Sequence, residues 1–302
     1  MFKLEIEMKT LIKLSAIVVL TLFSLATICD AKKSENLRHE LENSYKDFTT
    51  AIKSKNDELL KHSTTSYLYN SVRNALISSK SKFPDEYFDR LIDDMSPFHF
   101  IAAIQKDATA NLIYFGEAGD GFTSKGDPYR VFRVIKFIKE DGSWKHNGIL
   151  EFGDDFVYSP NRSEEENIIY LQSTEAMPDG IIPPTPKPCP QPDYVAILIV
   201  TVNNVDAIVN INGYDYEKKH GEYPSMSHLI YGGLKEGANT ITIHSTPTKN
   251  STEQELTVSI RASVNSGSDT IEVYNYERIH GENEFHKTIF ISNDIFKNVA
   301  SP

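Results

Sequence analysis

The chain of 302 residues is 40% hydrophobic and 24% charged, and its formal net charge at pH 7 is −11. This composition is that of a globular protein with room for two domains, and it excludes an intrinsically disordered chain. The acidic balance, with no basic stripe and no recognition motif, argues against a nucleic-acid partner.

An apolar run from Leu14 to Ile28 follows two lysines and precedes Cys29, Asp30 and Ala31. A basic start, a short apolar core and a small-residue cleavage site are typical of a secretory signal, so we predict that residues 1–31 are a signal peptide. The run is shorter than the roughly 20 residues that a membrane-spanning helix needs. The protein is therefore expected outside the cytoplasm, in the periplasm or secreted.

Two alternatives to cleavage after Ala31 stay open, and a membrane contact is expected only in these two cases. The segment that ends at Cys29 resembles a bacterial lipobox, in which Cys29 would be acylated and would anchor a lipoprotein. The run would otherwise persist as an uncleaved anchor. The second cysteine, Cys189, lies between prolines, where we expect it to be exposed. Once the signal is cleaved, no partner is left for an intrachain disulfide.

The part of the chain that follows the predicted signal peptide has the apolar spacing of helices. Apolar residues recur every three or four positions from Leu37 to Ile52, which predicts an amphipathic helix. Similar spacing predicts further helices over residues 66–79 and after Pro84. From Phe98 onward the period changes to alternation, which predicts antiparallel strand pairs over 98–118 and 129–150, with a tight turn at residues 139–142.

This order of elements resembles the NTF2-like (cystatin-like) superfamily. The resemblance rests on the first helix running into AIKSKNDELLKHSTTSYL and on the hairpin VFRVIKFIKEDGSWKHNGIL. It implies an α+β domain over residues 32–160, with helices on a bent antiparallel sheet that encloses a conical pocket. Some members of the superfamily use that pocket for small-molecule chemistry, whereas many extracytoplasmic ones have no known activity.

Four residues are candidates for lining such a pocket, namely His99, Tyr114, Trp144 and His146. A histidine beside a carboxylate could act as a general acid or base. The alternative is that both histidines are ordinary strand residues. No nucleophile, phosphate-binding or metal-binding motif is present in the sequence, so we predict no catalytic residue, no cofactor and no metal.

A charged and proline-rich linker is predicted over residues 161–193, because residues 177–193 contain seven prolines. Proline removes backbone donors and fixes φ, so this stretch should be extended and semi-rigid. After it, about seven short strand patterns separated by polar turns predict an all-β sandwich of immunoglobulin-like type over residues 194–302.

A nine-residue repeat lies within this C-terminal part. YDYEKKHGE at 214–222 recurs as YNYERIHGE at 274–282, with six identical positions. One interpretation is a repeated hairpin whose tyrosines pack across strands. A second is a pair of binding surfaces, since tyrosine makes rigid contacts with proteins and glycans. A metal site is the third. The candidate binding residues are Tyr214, Tyr216, His220, Glu222, Tyr274, Tyr276, His280 and Glu282.

These observations together predict an exported, non-enzymatic binding protein of the bacterial cell envelope. Its C-terminal strands would contact a protein or glycan partner. The alternative is a small-ligand binder or enzyme that works in the pocket of the N-terminal domain.

Overall fold

The computed structural model describes most of the chain after the predicted signal. The described residues are 35–90, 92, 95–122, 128–153, 176–221, 223, 225–248, 254–265, 269–278 and 283–297. No helix within these stretches is long and apolar enough to cross a membrane. Residues 14–31, with the apolar run, Cys29 and the cleavage site, lie outside the described residues, so export stays a prediction.

The helices are short and most of them lie early in the chain. Their bounds are 35–53 (α1), Asp57–Ser63 (α2), Ser66–Ser78 (α3), Asp85–Phe88 (α4) and Asp294–Lys297 (α5). The side chain of Asn56 caps α2 by accepting a hydrogen bond from the backbone N–H of Leu59 at 3.0 Å.

Twelve strands are described. In the N-terminal half they are Phe98–Lys106 (β1), Thr109–Phe122 (β2), Pro128–Glu140 (β3) and Ser143–Gly153 (β4). In the C-terminal half they are Val195–Asn203 (β5), Val205–Ile211 (β6), Tyr214–Lys218 (β7), Ser225–Leu229 (β8), Gly237–Pro247 (β9), Glu255–Ser263 (β10), Ile271–Glu277 (β11) and Glu284–Ile291 (β12). They form three antiparallel sheets: the first is β1-β2-β3-β4, the second β11-β10-β5-β8 and the third β12-β9-β6-β7.

The predicted fold class, an α+β NTF2-like domain followed by an all-β sandwich, is wrong. Of the described residues, 49% lie in strands and 22% in five short helices, and the strands form three four-stranded antiparallel sheets. Helical periodicity shows that a segment can be helical, but it does not show which sheet the helix covers. The stretch Tyr69–Arg90, predicted as part of the helical layer on the first sheet, groups instead with the C-terminal strands.

The chain divides into two compact units. The N-terminal unit joins Met1–Leu68 to Leu91–Pro184, and the C-terminal unit joins Tyr69–Arg90 to Thr185–Pro302. Compactness does not show which parts fold by themselves, so the domain boundaries predicted from the sequence stay a prediction.

The first sheet is buried on both faces. Successive residues of a strand point to opposite sides, so Leu112 and Ile113 of β2 enter different cores. Leu112 packs in a cluster with Leu41 of α1, whereas Ile113 packs in a cluster with Ala176. The helix predicted from its apolar spacing is therefore confirmed, and it covers one face of this sheet.

The second and third sheets share one apolar core. Every second residue of β6, from Val205 to Ile211, is buried, and β5 and β10 contribute Leu198, Val200 and Val258 to the same cluster. The intervening residues of β6 and β9 face away from this core and form the outer face of the third sheet.

Within the C-terminal unit, α3 binds the proline-rich segment through side chains that reach its backbone. The Asn74 amide donates to the carbonyl oxygen of Lys187 at 2.7 Å and accepts from the N–H of Cys189 at 2.8 Å. Asn70 donates to the carbonyl oxygen of Pro186 at 3.0 Å. The prediction that Cys189 is exposed is wrong, because these contacts press it onto α3 and leave it only 2% exposed.

Candidate functional site

A cleft of about 470 Å³ lies between α1 and the first sheet in the N-terminal unit. Glu42, Tyr45 and Lys46 of α1 line one side, and Leu112 and Tyr114 of β2 line the other. The cleft therefore has an apolar floor and a charged rim, which suits a small ligand with one polar end.

The polar end of this cleft is a hydrogen-bonded pair. The Tyr114 hydroxyl donates to Glu42 Oε1 at 3.0 Å, and the same oxygen accepts from Arg38 Nε at 2.7 Å. Burial, and then the adjacent Glu42 carboxylate, raise the pKa of Tyr114 well above its usual value of 10.0. Tyr114 is thus a neutral hydrogen-bond donor at physiological pH, and among the predicted pocket residues it alone lines this cleft.

The other three predicted pocket residues lie apart from the cleft. Trp144 is buried in the core under α1, and its indole N–H donates to Glu40 Oε2 at 3.1 Å. His99 is exposed on β1, and its ring makes an edge-to-face contact with that of Phe115, with the centroids 5.4 Å apart.

His146 is enclosed by aromatic rings. It is 3% exposed, and its ring centroid lies 4.1 Å from that of Phe48 and 5.6 Å from that of Tyr45. Its backbone is engaged, because the N–H of Thr65 donates to the carbonyl oxygen of His146 at 2.9 Å. Neither His146 nor His99 pairs with a carboxylate among the described residues, so the acid–base pair considered from the sequence does not form.

Burial of His146 predicts an acid-sensitive fold. Desolvation lowers the pKa of His146 from 6.5 to about 3. At pH values between about 3 and 6.5, the unfolded chain therefore binds a proton on His146 that the folded chain excludes. The contribution of His146 to stability is complete above pH 6.5 and is lost as the pH falls toward 3, by about 1.4 kcal/mol per pH unit. Urea unfolding of the wild type should show this loss, whereas a His146→Leu variant should have a shallower pH dependence. Parallel curves for the two proteins would refute the prediction.

A second cleft, of about 750 Å³, lies on the opposite face of the first sheet. Lys106, Asn111 and Lys136 line it, together with the segment from Met177 to Pro183. Asn111 holds that segment by donating to the carbonyl oxygen of Ala176 at 2.6 Å. Sequence reasoning missed this cleft because the proline-rich segment was interpreted as a spacer, and no periodic signal reveals that it packs on a sheet.

The two copies of the repeat occupy equivalent positions in different sheets. The first copy includes β7, an edge strand of the third sheet, and the second includes β11, an edge strand of the second sheet. Tyr216 and Tyr276 are only 7% and 8% exposed, because both point into the shared core. The Tyr216 hydroxyl accepts from the N–H of Tyr231 at 2.6 Å, and the Tyr276 ring lies 4.5 Å from that of Phe285.

The first tyrosine of each copy, Tyr214 and Tyr274, is half-buried and packs against the same core. His220 makes two hydrogen bonds near the start of β6. Its ring nitrogen Nδ1 accepts from the backbone N–H of Asn204 at 3.0 Å, and its backbone N–H donates to the Asp206 carboxylate at 2.7 Å. Glu222, His280 and Glu282 lie outside the described residues. A binding role for the repeat stays a prediction. The rings of Tyr216 and Tyr276 lie in the shared core and are therefore not on the surface that a binding partner would contact.

In the described part of the chain, no group of three or more His, Cys, Asp or Glu residues could hold a metal ion. Comparison with known proteins gave no match: no family model fits the chain, and no curated protein or solved structure matches it significantly.

Proposed function

We propose that the protein is an exported, non-enzymatic binding protein of the bacterial cell envelope, and that its C-terminal unit contacts a protein or glycan partner. Export rests on the signal-like pattern of residues 1–31. The C-terminal unit carries the proposed contact because β12 leaves every second side chain, including Phe290, exposed to solvent.

The observation that carries the proposal is the packing of His146. A catalytic histidine needs an open position beside a proton donor or acceptor. His146 has instead Tyr45, Phe48 and Phe137 around its ring. This aromatic packing gives the histidine a structural role and favours binding over catalysis.

The contact surface that we propose is the outer face of the third sheet. Phe290 of β12 is 74% exposed there, although its neighbours Ile289 and Ile291 are buried in the shared core. An aromatic side chain left in solvent on a rigid strand is the type of residue that dominates binding surfaces. Threonines lie beside it at Thr240 and Thr288, which pair directly across β9 and β12.

The test is co-sedimentation of the full chain with isolated cell-envelope fractions. We expect saturable binding by the wild type and binding at least about tenfold weaker for Phe290→Ser, since truncating an aromatic anchor costs about 2 kcal/mol or more and about 1.4 kcal/mol already corresponds to tenfold. Tyr223→Ser is the matched control, because Tyr223 is an 85% exposed aromatic residue outside this face. No saturable binding by the wild type, or equal loss in both variants, would contradict the proposal.

The cleft under α1 supports a second candidate function, the binding of a small ligand whose hydrogen-bond acceptor would replace Glu42 as the partner of the Tyr114 hydroxyl. The specific observation is the Tyr114–Glu42 pair at its polar end. Tyr114→Phe keeps the ring and removes the donor. If envelope binding or binding of an extracted small molecule is lost in Tyr114→Phe but kept in Phe290→Ser, the cleft is the functional site.

A further inference from the structure

We propose that the cleft between the first sheet and the proline-rich segment binds a small organic anion with an apolar tail, such as a fatty acid or an alkyl phosphate. Lys106 and Lys136 would contact the anionic group, and Ile181 would contact the tail. Every residue that lines this cleft belongs to the N-terminal unit, and none of them also lines the cleft under α1. The inference is therefore independent of the proposed function.

The strand register places two lysines on the sheet face that forms the cleft. Lys136 of β3 lies directly opposite Asn111 of β2, and Lys106 of β1 lies directly opposite Thr109 of β2. Residues that are paired across strands, or two apart on one strand, share a face of the sheet. All four side chains therefore project from one face, which is apolar further along β2, where Ile113 is buried.

Lys136 has an unusual position for a lysine. It is half-buried on β3, a central strand of the sheet, although lysine is rarely buried without an opposite charge. Arg133 of the same strand satisfies this rule, because it pairs with Glu151 at 2.6 Å. Neither Lys136 nor Lys106 pairs with a carboxylate among the described residues. An anionic ligand in the cleft would supply the opposite charge.

The cleft is positive although the protein as a whole is acidic. Among the described residues that line it, two lysines stand against one carboxylate, that of Asp179, whereas the whole chain carries a formal charge of −11. The Asp179 carboxylate accepts from the N–H of Ile181 at 2.8 Å, so it is engaged in the local turn. Positive charge gathered in a concave site attracts anions, because the low-dielectric walls focus its field.

Asn147 adds neutral donors to the lining. Its side-chain oxygen accepts from the hydroxyl of Thr65 at 2.6 Å, which fixes the orientation of the amide. The two N–H groups of this amide make no hydrogen bond to another described residue. They are therefore available to a carboxylate or phosphate oxygen that the lysines attract.

The opposite wall of the cleft is fixed and apolar. The N–H of Gly180 donates to Thr109 Oγ1 at 3.0 Å, in addition to the contact that Asn111 makes with the same segment. Gly180 has a φ of 84°, and a Cβ at this position would lie 2.8 Å from Asp107 Oδ2, so glycine allows the close approach to the sheet. The next residue, Ile181, lines the cleft but is 67% exposed. An alkyl chain would remove this apolar surface from water.

The size of the cleft also suits such a ligand. Its volume of about 750 Å³ lies within the range of about 300–1,000 Å³ that is usual for small-molecule sites. A polar end formed by the lysines and Asn147, with an apolar wall beside it, matches a molecule that has one charged group and one short tail.

The test is isothermal titration of the full chain with octanoate. We expect saturable binding by the wild type and binding at least about tenfold weaker for Lys136→Met and for Lys106→Met, because each loses a charge-assisted hydrogen bond while keeping a side chain of similar length. Lys139→Met is the matched control. Lys139 is an exposed lysine of the same strand that lies over the Trp144 ring on the other face.

Three further ligands separate the contributions of the charge and the tail. Octanol has the tail without the charge and inorganic phosphate has the charge without the tail, so both should bind at least about tenfold more weakly than octanoate. Octyl phosphate should compete with octanoate, and the tighter of the two identifies the preferred anionic group. Tight binding of either one supports the proposal.

Ile181→Ser tests the apolar wall. We expect octanoate to bind about threefold more weakly or less tightly still, because the tail then buries less apolar surface. Ile182→Ser is the matched control, since Ile182 is 53% exposed but does not line the cleft. All these side chains reach solvent, so the variants should unfold at the same urea concentration as the wild type. Octanoate should raise the melting temperature of the wild type and of both controls more than that of the other variants.

Several results would overturn the proposal. It is wrong if the wild type binds neither octanoate nor octyl phosphate saturably, if octanol binds as tightly as octanoate, or if Lys139→Met weakens binding as much as Lys136→Met. Octanoate binding that is lost in Tyr114→Phe but kept in Lys136→Met would place the ligand under α1 and would also refute it. None of these results affects the envelope-binding experiment with Phe290→Ser, so the two proposals are tested separately.

Discussion

Replacing both Tyr216 and Tyr276 by serine is expected to unfold the C-terminal unit. The two rings are 7% and 8% exposed and lie in the core shared by the second and third sheets. Truncating a buried aromatic side chain costs about 3–5 kcal/mol, and the total stability of a domain is about 5–15 kcal/mol. Urea unfolding followed by circular dichroism should show a large loss for each single variant and no native baseline for the double variant.

Two further variants make this prediction specific. Tyr216→Phe keeps the ring but leaves the N–H of Tyr231 without the hydroxyl that now accepts from it at 2.6 Å, so we expect a loss of about 1–3 kcal/mol. Tyr223→Ser, at an 85% exposed position, should stay within about 0.5 kcal/mol of the wild type. If the double serine variant kept its stability and lost partner binding, the tyrosines would be contact residues instead of core residues.

The second large effect is expected for Asn74→Ala. The Asn74 side chain is fully buried and makes two short hydrogen bonds, to the carbonyl oxygen of Lys187 and from the N–H of Cys189. Its removal leaves both backbone groups unpaired, at a cost of about 1–3 kcal/mol each, so we expect the unfolding free energy to fall by about 4 kcal/mol. The rate at which Cys189 reacts with a thiol reagent should rise as well, because the segment that buries it is released.

Asn70→Ala is the matched control for this prediction. Asn70 lies one helical turn before Asn74 and is half-buried, and its side chain makes one hydrogen bond to the described residues, to the carbonyl oxygen of Pro186 at 3.0 Å. We expect a loss of about 1 kcal/mol and little change in the reactivity of Cys189. Equal effects of the two substitutions would show that the Asn74 amide has no special role in holding the proline-rich segment.

Helices and strands were predicted correctly from the sequence where apolar residues recur with a regular period. The spacing of Leu41, Phe48 and Ile52 predicted α1, and all three residues are buried along it. The alternation after Phe98 predicted the strands of the first sheet. The turn between β3 and β4 was also predicted, and Asp141 and Gly142 have the positive φ values, 53° and 82°, that such two-residue turns require.

The candidate sites were predicted less well, because a period of two shows which residues share a face but not which face is buried. The repeat places Tyr214, Tyr216 and Lys218 on one side of β7, and this pattern suits an outward surface as well as a core. Tyrosine is tolerated in both environments, so composition does not decide between them.

The sequence by itself determined the identity of the local elements, the place of the proline-rich segment and the export-like start, since each depends on neighbouring residues alone. Tertiary structure decided which of these elements pack together. It placed α3 beside the proline-rich segment and buried Cys189 through bonds between residues 115 apart. It also turned Tyr216 and Tyr276 inward and enclosed His146 in aromatic rings. These outcomes depend on which apolar surfaces meet, and burial is non-directional, so no short stretch of sequence specifies its own partner.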